Sequence, residues 1–200
     1  SKFLKKDNQG YINIPESGDI TLEDTKPVYL GKTTPDFLLG WNNSFGYKGF
    51  GLSFLISGRF GGIVTSSTQA VLDRFGVSKA SALARDNGGV ALPGQGKYDA
   101  KKYYELVGTG ENKLAGYYTY DATNVRLQEL SFSYTFPAKW FKNRIDELTF
   151  SVIGNNLWMI YNKAPFDPEL TPSTATYGQG NDYFMQPSLR SVGFNVKVKL

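Results

Sequence analysis

Residues 191–200 alternate strictly between polar and apolar side chains. Every second position from Val192 to Leu200 is apolar, and the positions between them carry Ser, Gly, Asn and Lys. Because successive side chains of a β-strand point to opposite faces, this period of two predicts a strand with one apolar and one polar face. The lysines on the polar face indicate that this face meets water.

Four earlier segments alternate in the same way. Pro137 ends one of them, since proline lacks the N–H group that a central strand donates. The segment near 147–160 carries apolar residues on both faces towards its end, so its orientation is left open. Together these patterns predict five antiparallel strands, near residues 37–47, 50–60, 123–136, 147–160 and 188–200.

The connections between the predicted strands are alternately short and long. A tight turn at 48–49 joins the first two strands, and a compact segment, 137–147, joins the third and fourth; long stretches occupy 61–117 and 161–187. Outer-membrane β-barrels have this alternation, with short periplasmic turns and longer extracellular loops. Both short connections are flanked by aromatic residues typical of a membrane-interface girdle: Phe45, Tyr47, Phe50, Phe136, Trp140 and Phe141.

The long stretch 61–117 is predicted to carry most of the loop structure. Gln69–Phe75, followed by Gly76, and Ser78–Asp86 have the character of short helices. The first thirty or so residues are polar and interrupted by Gly and Pro. We therefore expect two regions, residues 1–36 as an extracellular loop leading into the barrel and 37–200 as transmembrane strands with long loops near 61–117 and 161–187.

The chain contains neither Cys nor His. It therefore has no thiolate metal ligand, and it lacks the commonest general base and transition-metal ligand. The net charge of +4 comes from scattered basic residues rather than from the clustered patch that nucleic-acid binding requires. We expect no catalytic residue, no metal site, no cofactor and no nucleic-acid partner. An outer-membrane lipase or protease is excluded, because such enzymes use His.

Five strands cannot close a transmembrane barrel, whose smallest forms have about eight. Unpaired strand edges in lipid cost several kcal/mol for each unsatisfied backbone group. We therefore expect an all-β chain that forms an antiparallel transmembrane section of a larger barrel, continuous with upstream sequence rather than associated with other chains. The alternative is a soluble β-sandwich that binds ligands as lectins do, which would show short connections at both ends.

Several short motifs, taken in order, resemble the C-terminal barrel region of the SusC/RagA family of TonB-dependent outer-membrane transporters. The resemblance spans about residues 27–200. The motifs are Thr34–Phe37, Tyr47–Phe50, Asp121–Ser131, Tyr134–Pro137, Gly154–Leu157 and Asp167–Glu169.

The resemblance implies a Gram-negative outer-membrane protein with a barrel of about 22 strands and an N-terminal plug. It further implies import of oligosaccharides or peptides, a SusD-like surface lipoprotein as partner, and energy from the TonB complex through an N-terminal part that is absent here. Two features depart from the family. Asp7–Asn13 keeps too few carboxylates for a calcium site, and Leu200 stands where an aromatic residue is common.

Candidate lipid-facing residues lie on the apolar faces of two predicted strands: Phe132, Tyr134, Phe136, Val192, Phe194, Val196, Val198 and Leu200. On the opposite, lumenal face, Lys197 and Lys199 either pair with acids of the absent plug or are solvated. Asp121 and Arg126 are predicted to position the start of the third strand. Asp167-Pro-Glu169 brings two acids close together, but the proline between them favours a turn over glycoside chemistry or metal binding.

The loop tyrosines are candidate substrate-binding residues, because a tyrosine ring offers a flat apolar face with a hydroxyl group for stacking on sugars or peptide groups. The alternative is that they pack the loops together or against the lipoprotein. They are Tyr103, Tyr104, Tyr117, Tyr118, Tyr177 and Tyr183.

Overall fold

The computed structural model describes residues 2–15, 18–23, 26–109, 114–141, 145–170, 172 and 178–199. They form two compact units, each assembled from separate stretches of the chain. The helical unit comprises residues 1–33, 63–120 and 170–185, and the sheet unit comprises 34–62, 121–169 and 186–200.

The strands, in chain order, are β1 (Phe37–Tyr47), β2 (Phe50–Phe60), β3 (Ile63–Ser66), β4 (Val90–Leu92), β5 (Gly96–Tyr98), β6 (Thr119–Asp121), β7 (Asn124–Phe136), β8 (Glu147–Asn162), β9 (Asn181–Asp182) and β10 (Ser191–Lys199). The α-helices are α1 (Ser67–Arg74), α2 (Lys79–Asp86) and α3 (Ala100–Val107). Short 3₁₀ turns occupy Ala115–Tyr118 and Ala138–Phe141.

The sheet unit is built on one five-stranded antiparallel sheet in the order β1-β2-β7-β8-β10. The five predicted strands are confirmed, and the first two have the predicted bounds. The short connections, at 48–49 and 137–146, join strands at one end of the sheet. The long connections leave from the other ends of the strands.

The tight turn between β1 and β2 has two residues in the left-handed region, Lys48 at φ 47° and Gly49 at φ 88°. Positive φ at both central positions is what a two-residue hairpin turn matching the twist of its strands requires. Gly49 is also needed for space, because a Cβ atom there would lie 2.8 Å from the carbonyl oxygen of Thr135. The Gly49 carbonyl accepts a hydrogen bond of 2.8 Å from the Thr135 amide, which ties the turn to β7.

The strand register aligns apolar residues across the whole sheet. Phe45, Leu52, Phe132, Val152 and Phe194 follow one another as directly opposite partners from β1 to β10. Directly opposite residues of antiparallel strands share a face. The five strands therefore present one continuous apolar face.

The next row along the sheet lies on the other face and carries small or polar residues. It consists of Gly46, Gly51, Ser133, Ser151 and Asn195, again as directly opposite partners. The sheet is therefore amphipathic across its full width.

The register also settles the orientation of β8. Phe150 and Val152 lie opposite Tyr134 and Phe132, so they belong to the apolar face. The alternation of apolar and polar residues breaks further along these strands, because Gln128 of β7 is an extra residue facing β2. Opposite it, β8 contains Asn156 at φ 51°, a left-handed conformation that asparagine tolerates better than most residues. These irregularities shift the alternation and bring apolar residues to both faces of β8.

The helical unit confirms two predicted helices and adds a third. Serine or aspartate caps each helix: Ser66 accepts from the amide of Gln69, Ser78 from that of Ser81, and Asp99 from that of Lys102. Among the described residues, none of the helices has the length and apolar character to cross a bilayer. The third helix and the short strands β3, β4, β5 and β9 lie in sequence that is predicted to be loop.

The core of the helical unit draws on residues far apart in sequence. Leu4 and Ile20 are buried there with Ala70 of α1, Val107 of α3 and Tyr118. In its described residues, 2–15, 18–23 and 26–33, the N-terminal stretch forms two isolated bridges, between Leu4 and Leu22 and between Lys6 and Ile12. The predicted N-terminal loop thus has little regular structure but supplies core side chains.

Ser66 links two parts of the helical unit through one hydroxyl group. It caps α1, and it donates a 2.8 Å hydrogen bond to the Asp182 carboxylate of β9, where both residues are buried. The adjacent Ser67 donates a 2.7 Å hydrogen bond to Asn181. These bonds hold the parallel pairing of β3 with β9 in place.

We expect Ser66→Ala to destabilise the helical unit by roughly 1–3 kcal/mol, because it removes a helix cap and leaves a buried carboxylate short of a donor. Hydrogen exchange of the full-length protein should then quicken in α1 and β9. Ser44→Ala is the matched control, since the Ser44 hydroxyl is exposed and forms no hydrogen bond among the described residues. Equal exchange in the two variants would contradict the assigned role.

Candidate functional site

The apolar face of the sheet is largely open to solvent in this chain. Phe194 is 78% exposed, and Phe45, Trp41, Phe132 and Val192 are all at least half exposed. Soluble monomers rarely expose contiguous apolar patches of this kind, which mark membrane or protein interaction surfaces. The strands contain between 9 and 16 residues, and about 9–11 tilted residues span a bilayer.

The predicted lipid-facing residues of β7 and β10 fall on this apolar face. Phe132, Tyr134 and Phe136 lie opposite Val152, Phe150 and Leu148 of β8. Val192, Phe194, Val196 and Val198 lie opposite the same face of β8. Leu200 lies outside the described residues. The structure therefore brings these positions together on one surface.

Aromatic rings make contacts at the short-turn end of the sheet. Phe50 lies 4.5 Å from Tyr134 between ring centroids, and Phe136 lies 4.8 Å from Tyr134 and 5.8 Å from Trp140. The Lys48 ammonium lies 5.2 Å from the centre of the Tyr47 ring. This end thus combines aromatic rings with a cation, the composition of a membrane–water interface.

The polar face carries hydrogen bonds between strands. Thr135 and Thr149 share a 2.9 Å bond between their hydroxyl groups. Lys197 lies 3.5 Å from the Glu147 carboxylate on the neighbouring strand, with both side chains substantially exposed. Lys197 therefore has a partner within the sheet unit itself.

A buried ion pair joins β7 to the segment that follows β8. Arg126 Nη2 donates a 2.8 Å bond to Asp167 Oδ1, and the side chains are 7% and 8% exposed. Glu169 lies 3.5 Å from the same nitrogen. The turn predicted at Asp167-Pro-Glu169 is supported by the Asp167 carboxylate, which accepts from the backbone amides of Glu169 and Ser188.

Burial opposes ionisation of Asp167, but hydrogen bonds from Arg126 and Ser188 outweigh it and hold the pKa of this carboxyl below its usual range. A cavity of about 260 Å³ lies beside the pair and is lined by Asn156, Trp158 and Arg190 among others. Within the described part of the chain, Arg126 Nε has no hydrogen-bond partner. The cluster therefore fixes the loop to the strand, with Arg126 as its centre.

A second ion pair holds the start of β7. Asp121 accepts a 2.7 Å bond from the exposed Lys163 and further bonds from the amide and hydroxyl group of Thr123. The hydrogen bond from Lys163, followed by that from Thr123, lowers the pKa of Asp121 to about 2. This agrees with the predicted positioning role of Asp121.

The structure places the candidate tyrosines in different settings. Tyr118 is 4% exposed in the core of the helical unit, where burial and the neighbouring Asp73 raise its pKa. Tyr103, Tyr104 and Tyr117 pack against the same core. Burial, with the neighbouring tyrosines, raises the pKa of Tyr103 to about 12.

Tyr183 is 55% exposed and packs edge to face on Phe184, with 5.2 Å between ring centroids. Among the described tyrosines of the predicted set it offers the most accessible ring, whereas the ring of Tyr118 is enclosed by protein. Tyr177 lies outside the described residues. Among those described, no cluster of acidic residues could hold a metal ion.

Comparison with known proteins gives relatives over nearly the whole chain. TonB-dependent receptor P3 of Formosa agariphila is 27% identical over 195 residues, covering 94% of this chain and 18% of the relative. TonB-dependent receptor P39 of the same organism is 26% identical over 203 residues, covering 98% of this chain and 18% of the relative. No family model matches. The chain spans about a fifth of the length of these relatives.

Solved structures share the fold. The RagAB peptide importer in its closed-closed state superimposes with a TM-score of 0.62 at 14% identity, covering 93% of this chain and 20% of that one. Its open-open state gives a TM-score of 0.61 at 16% identity, covering 95% and 20%. The resemblance to SusC/RagA-type TonB-dependent receptors, predicted from short motifs, is therefore confirmed. The relatives named are receptors and importers rather than enzymes.

The contact between Arg126 and Asp167 was not predicted, although both residues lie in motifs that carried the family resemblance. The signal available was an arginine and an aspartate in two separate motifs, 41 residues apart. Asp73, which is buried beside the tyrosines, gave no signal in sequence, since an aspartate near the end of a short helix is ordinarily exposed.

We expect Arg126→Ala to destabilise the protein by about 3–5 kcal/mol, because it leaves the Asp167 carboxylate buried without its cation. The measurement is denaturant unfolding of the full-length protein in detergent. Lys163→Ala, which breaks an exposed and solvent-screened pair, should cost far less. Similar losses of unfolding free energy in the two variants would show that burial does not make the Arg126–Asp167 pair more important than an exposed one.

The same pair predicts a pH dependence. Because the folded-state pKa of Asp167 is lowered, its contribution is present above the unfolded-state value of about 4 and is lost as the pH falls through the folded-state value. Stability of Arg126→Ala should therefore depend less on pH below about 4 than stability of the parent protein. Parallel pH curves would contradict this.

Proposed function

We propose that this chain forms part of the wall of a TonB-dependent transporter in the outer membrane of a Gram-negative bacterium. The observation that carries the proposal is the continuous, exposed apolar face across five paired strands. In a barrel this face contacts lipid, and the face bearing Ser133, Ser151 and Asn195 lines the lumen. The likeness in fold to the RagAB importer supports the same assignment.

The sheet order leaves β1 and β10 at its edges in the part of the chain described. In lipid such edges need partners, since unsatisfied backbone groups cost several kcal/mol each. The five strands would therefore be a section of a barrel of about 22 strands, with residues 37–200 supplying strands and residues 1–36 leading into them. The 18% of relatives' length that is covered agrees with a section of this size.

The lengths of the connections support an orientation. The short connections at 48–49 and 137–146 would face the periplasm, and the long connections would form extracellular loops. In this orientation the aromatic rings of Phe50, Tyr134 and Trp140 lie at the periplasmic interface. Energised import would depend on a plug and on the TonB complex, which acts through parts outside this chain.

The proposed solutes are oligosaccharides or peptides, captured with a SusD-like surface lipoprotein. RagAB, whose fold this chain shares, is a peptide importer. The exposed ring of Tyr183 is the candidate tyrosine best placed for stacking on a solute or on the lipoprotein. The sandwich alternative has no observation in its favour, because the described residues of the sheet unit form a single sheet.

Phe194→Arg should cripple assembly of the full-length barrel, while Lys197→Ala should be tolerated. The arginine would stand on the lipid face in mid-strand, where it costs about 2–4 kcal/mol near the bilayer midplane. Lys197 lies on the opposite face in an exposed pair with Glu147, whose loss costs less than about 1 kcal/mol. Heat-modifiable electrophoretic mobility of outer-membrane extracts reports folding. Equal folding of both variants would mean that the apolar face does not meet lipid.

A further inference from the structure

A cavity of about 270 Å³ lies among the three helices of the helical unit. Asp73, at the end of α1, lines it and is only 3% exposed. Among the described residues, neither its oxygen Oδ1 nor the neighbouring Tyr118 hydroxyl group has a hydrogen-bond partner, and Asp73 makes no ion pair. A buried carboxylate oxygen without a donor carries a large desolvation cost. A donor that enters the cavity would remove this cost.

The remainder of the lining selects the kind of donor. Tyr104 of α3 and Phe75 contribute aromatic rings, and rings beside a carboxylate favour a cation with hydrogen atoms to donate. Two of the lining cations are already engaged, since Arg85 donates a 2.7 Å bond to the Gly76 carbonyl and Lys101 lies 3.8 Å from Glu105.

Arg74 differs from the other cations of the lining. It is exposed, lies 6.0 Å from the Phe75 ring centre, and has no carboxylate partner among the described residues. The cavity therefore pairs a buried acceptor with an exposed cation that is free to meet an anion. Its volume is slightly below the range of drug-sized ligand pockets, about 300–1,000 Å³, so it suits a ligand of amino-acid size.

We propose that this cavity binds the primary ammonium group of an amino acid or of a peptide N-terminus, with the ammonium donating to Asp73 beside the Tyr104 ring. Arg74 then meets the carboxylate or carbonyl group of the same ligand. The site lies within the helical unit alone, so it holds whether or not the sheet forms a barrel wall. It also gives Tyr104 a role distinct from that of the buried Tyr118.

Calorimetric titration of the full-length protein in detergent tests the proposal, with L-alanine, tri-alanine and N-acetyl-tri-alanine as probes. Tri-alanine should bind, and acetylation should weaken binding at least tenfold because it removes the ammonium group. Binding of L-alanine as tight as that of tri-alanine would assign the site to free amino acids, and weaker binding would assign it to peptide termini. Equal binding of acetylated and free tri-alanine, or no binding of any probe at millimolar concentration, would overturn the proposal.

Two variants locate the site. Asp73→Asn keeps the size of the side chain and removes its charge, so it should weaken tri-alanine binding at least tenfold. Asp86→Asn is the matched control, since Asp86 is an exposed carboxylate at the end of α2 and does not line the cavity, and it should bind within twofold of the parent. Unchanged binding by folded Asp73→Asn would overturn the assignment.

A third variant covers the case in which Asp73→Asn does not fold. Tyr104→Leu keeps an apolar side chain on the partly buried face of α3 and removes the aromatic ring. It should weaken binding of tri-alanine severalfold while leaving the thermal unfolding of the protein near that of the parent. Unchanged affinity in this variant would place the ligand elsewhere.

Discussion

Antiparallel pairing in a single register is the constraint on which the sheet unit depends. Side chains alternate across a strand, so a slip of one residue would turn every apolar group of that strand to the opposite face. The row from Phe45 to Phe194 keeps its alignment across five strands. The tight turn at Lys48 and Gly49 fixes the pairing of β1 with β2. The Gly49 carbonyl also accepts a hydrogen bond from β7. The proposed barrel wall follows from that alignment.

The strands were predictable because alternation is a local property of the sequence. The patterns at 37–47 and 50–60 predict the observed bounds, since the pairing of β1 with β2 contains no bulge. The orientation of β8 was not predictable. It is decided by Gln128 of β7 and by the left-handed Asn156, and the effect of these residues appears only once the strands are paired.

The helical unit was less accessible from sequence. Helices α1 and α2 were predicted from their glycine and asparagine stops, but α3 was missed because its tyrosines were interpreted as loop residues. The overlooked local signal is the N-cap of α3. It is Asp99, whose carboxylate accepts a hydrogen bond from the Lys102 amide. Burial of Leu4 and Ile20 depends on contacts with residues about 50–115 positions away, for which no periodicity exists. The Arg126–Asp167 pair is not predictable for the same reason, although each residue lies in a recognisable motif.

The polar face of the sheet is thinly covered along one row of residues. This row consists of Gly46, Gly51, Ser133, Ser151 and Asn195. Glycine has no side chain and serine adds only one heavy atom beyond Cβ, so along this row the strand backbones are barely covered on the polar side. A body lying against that side could approach the peptide groups themselves and exchange hydrogen bonds with neighbouring hydroxyl groups. If the sheet lines a pore, this stretch of wall leaves nearly the full radius of the strands free for whatever passes or rests there.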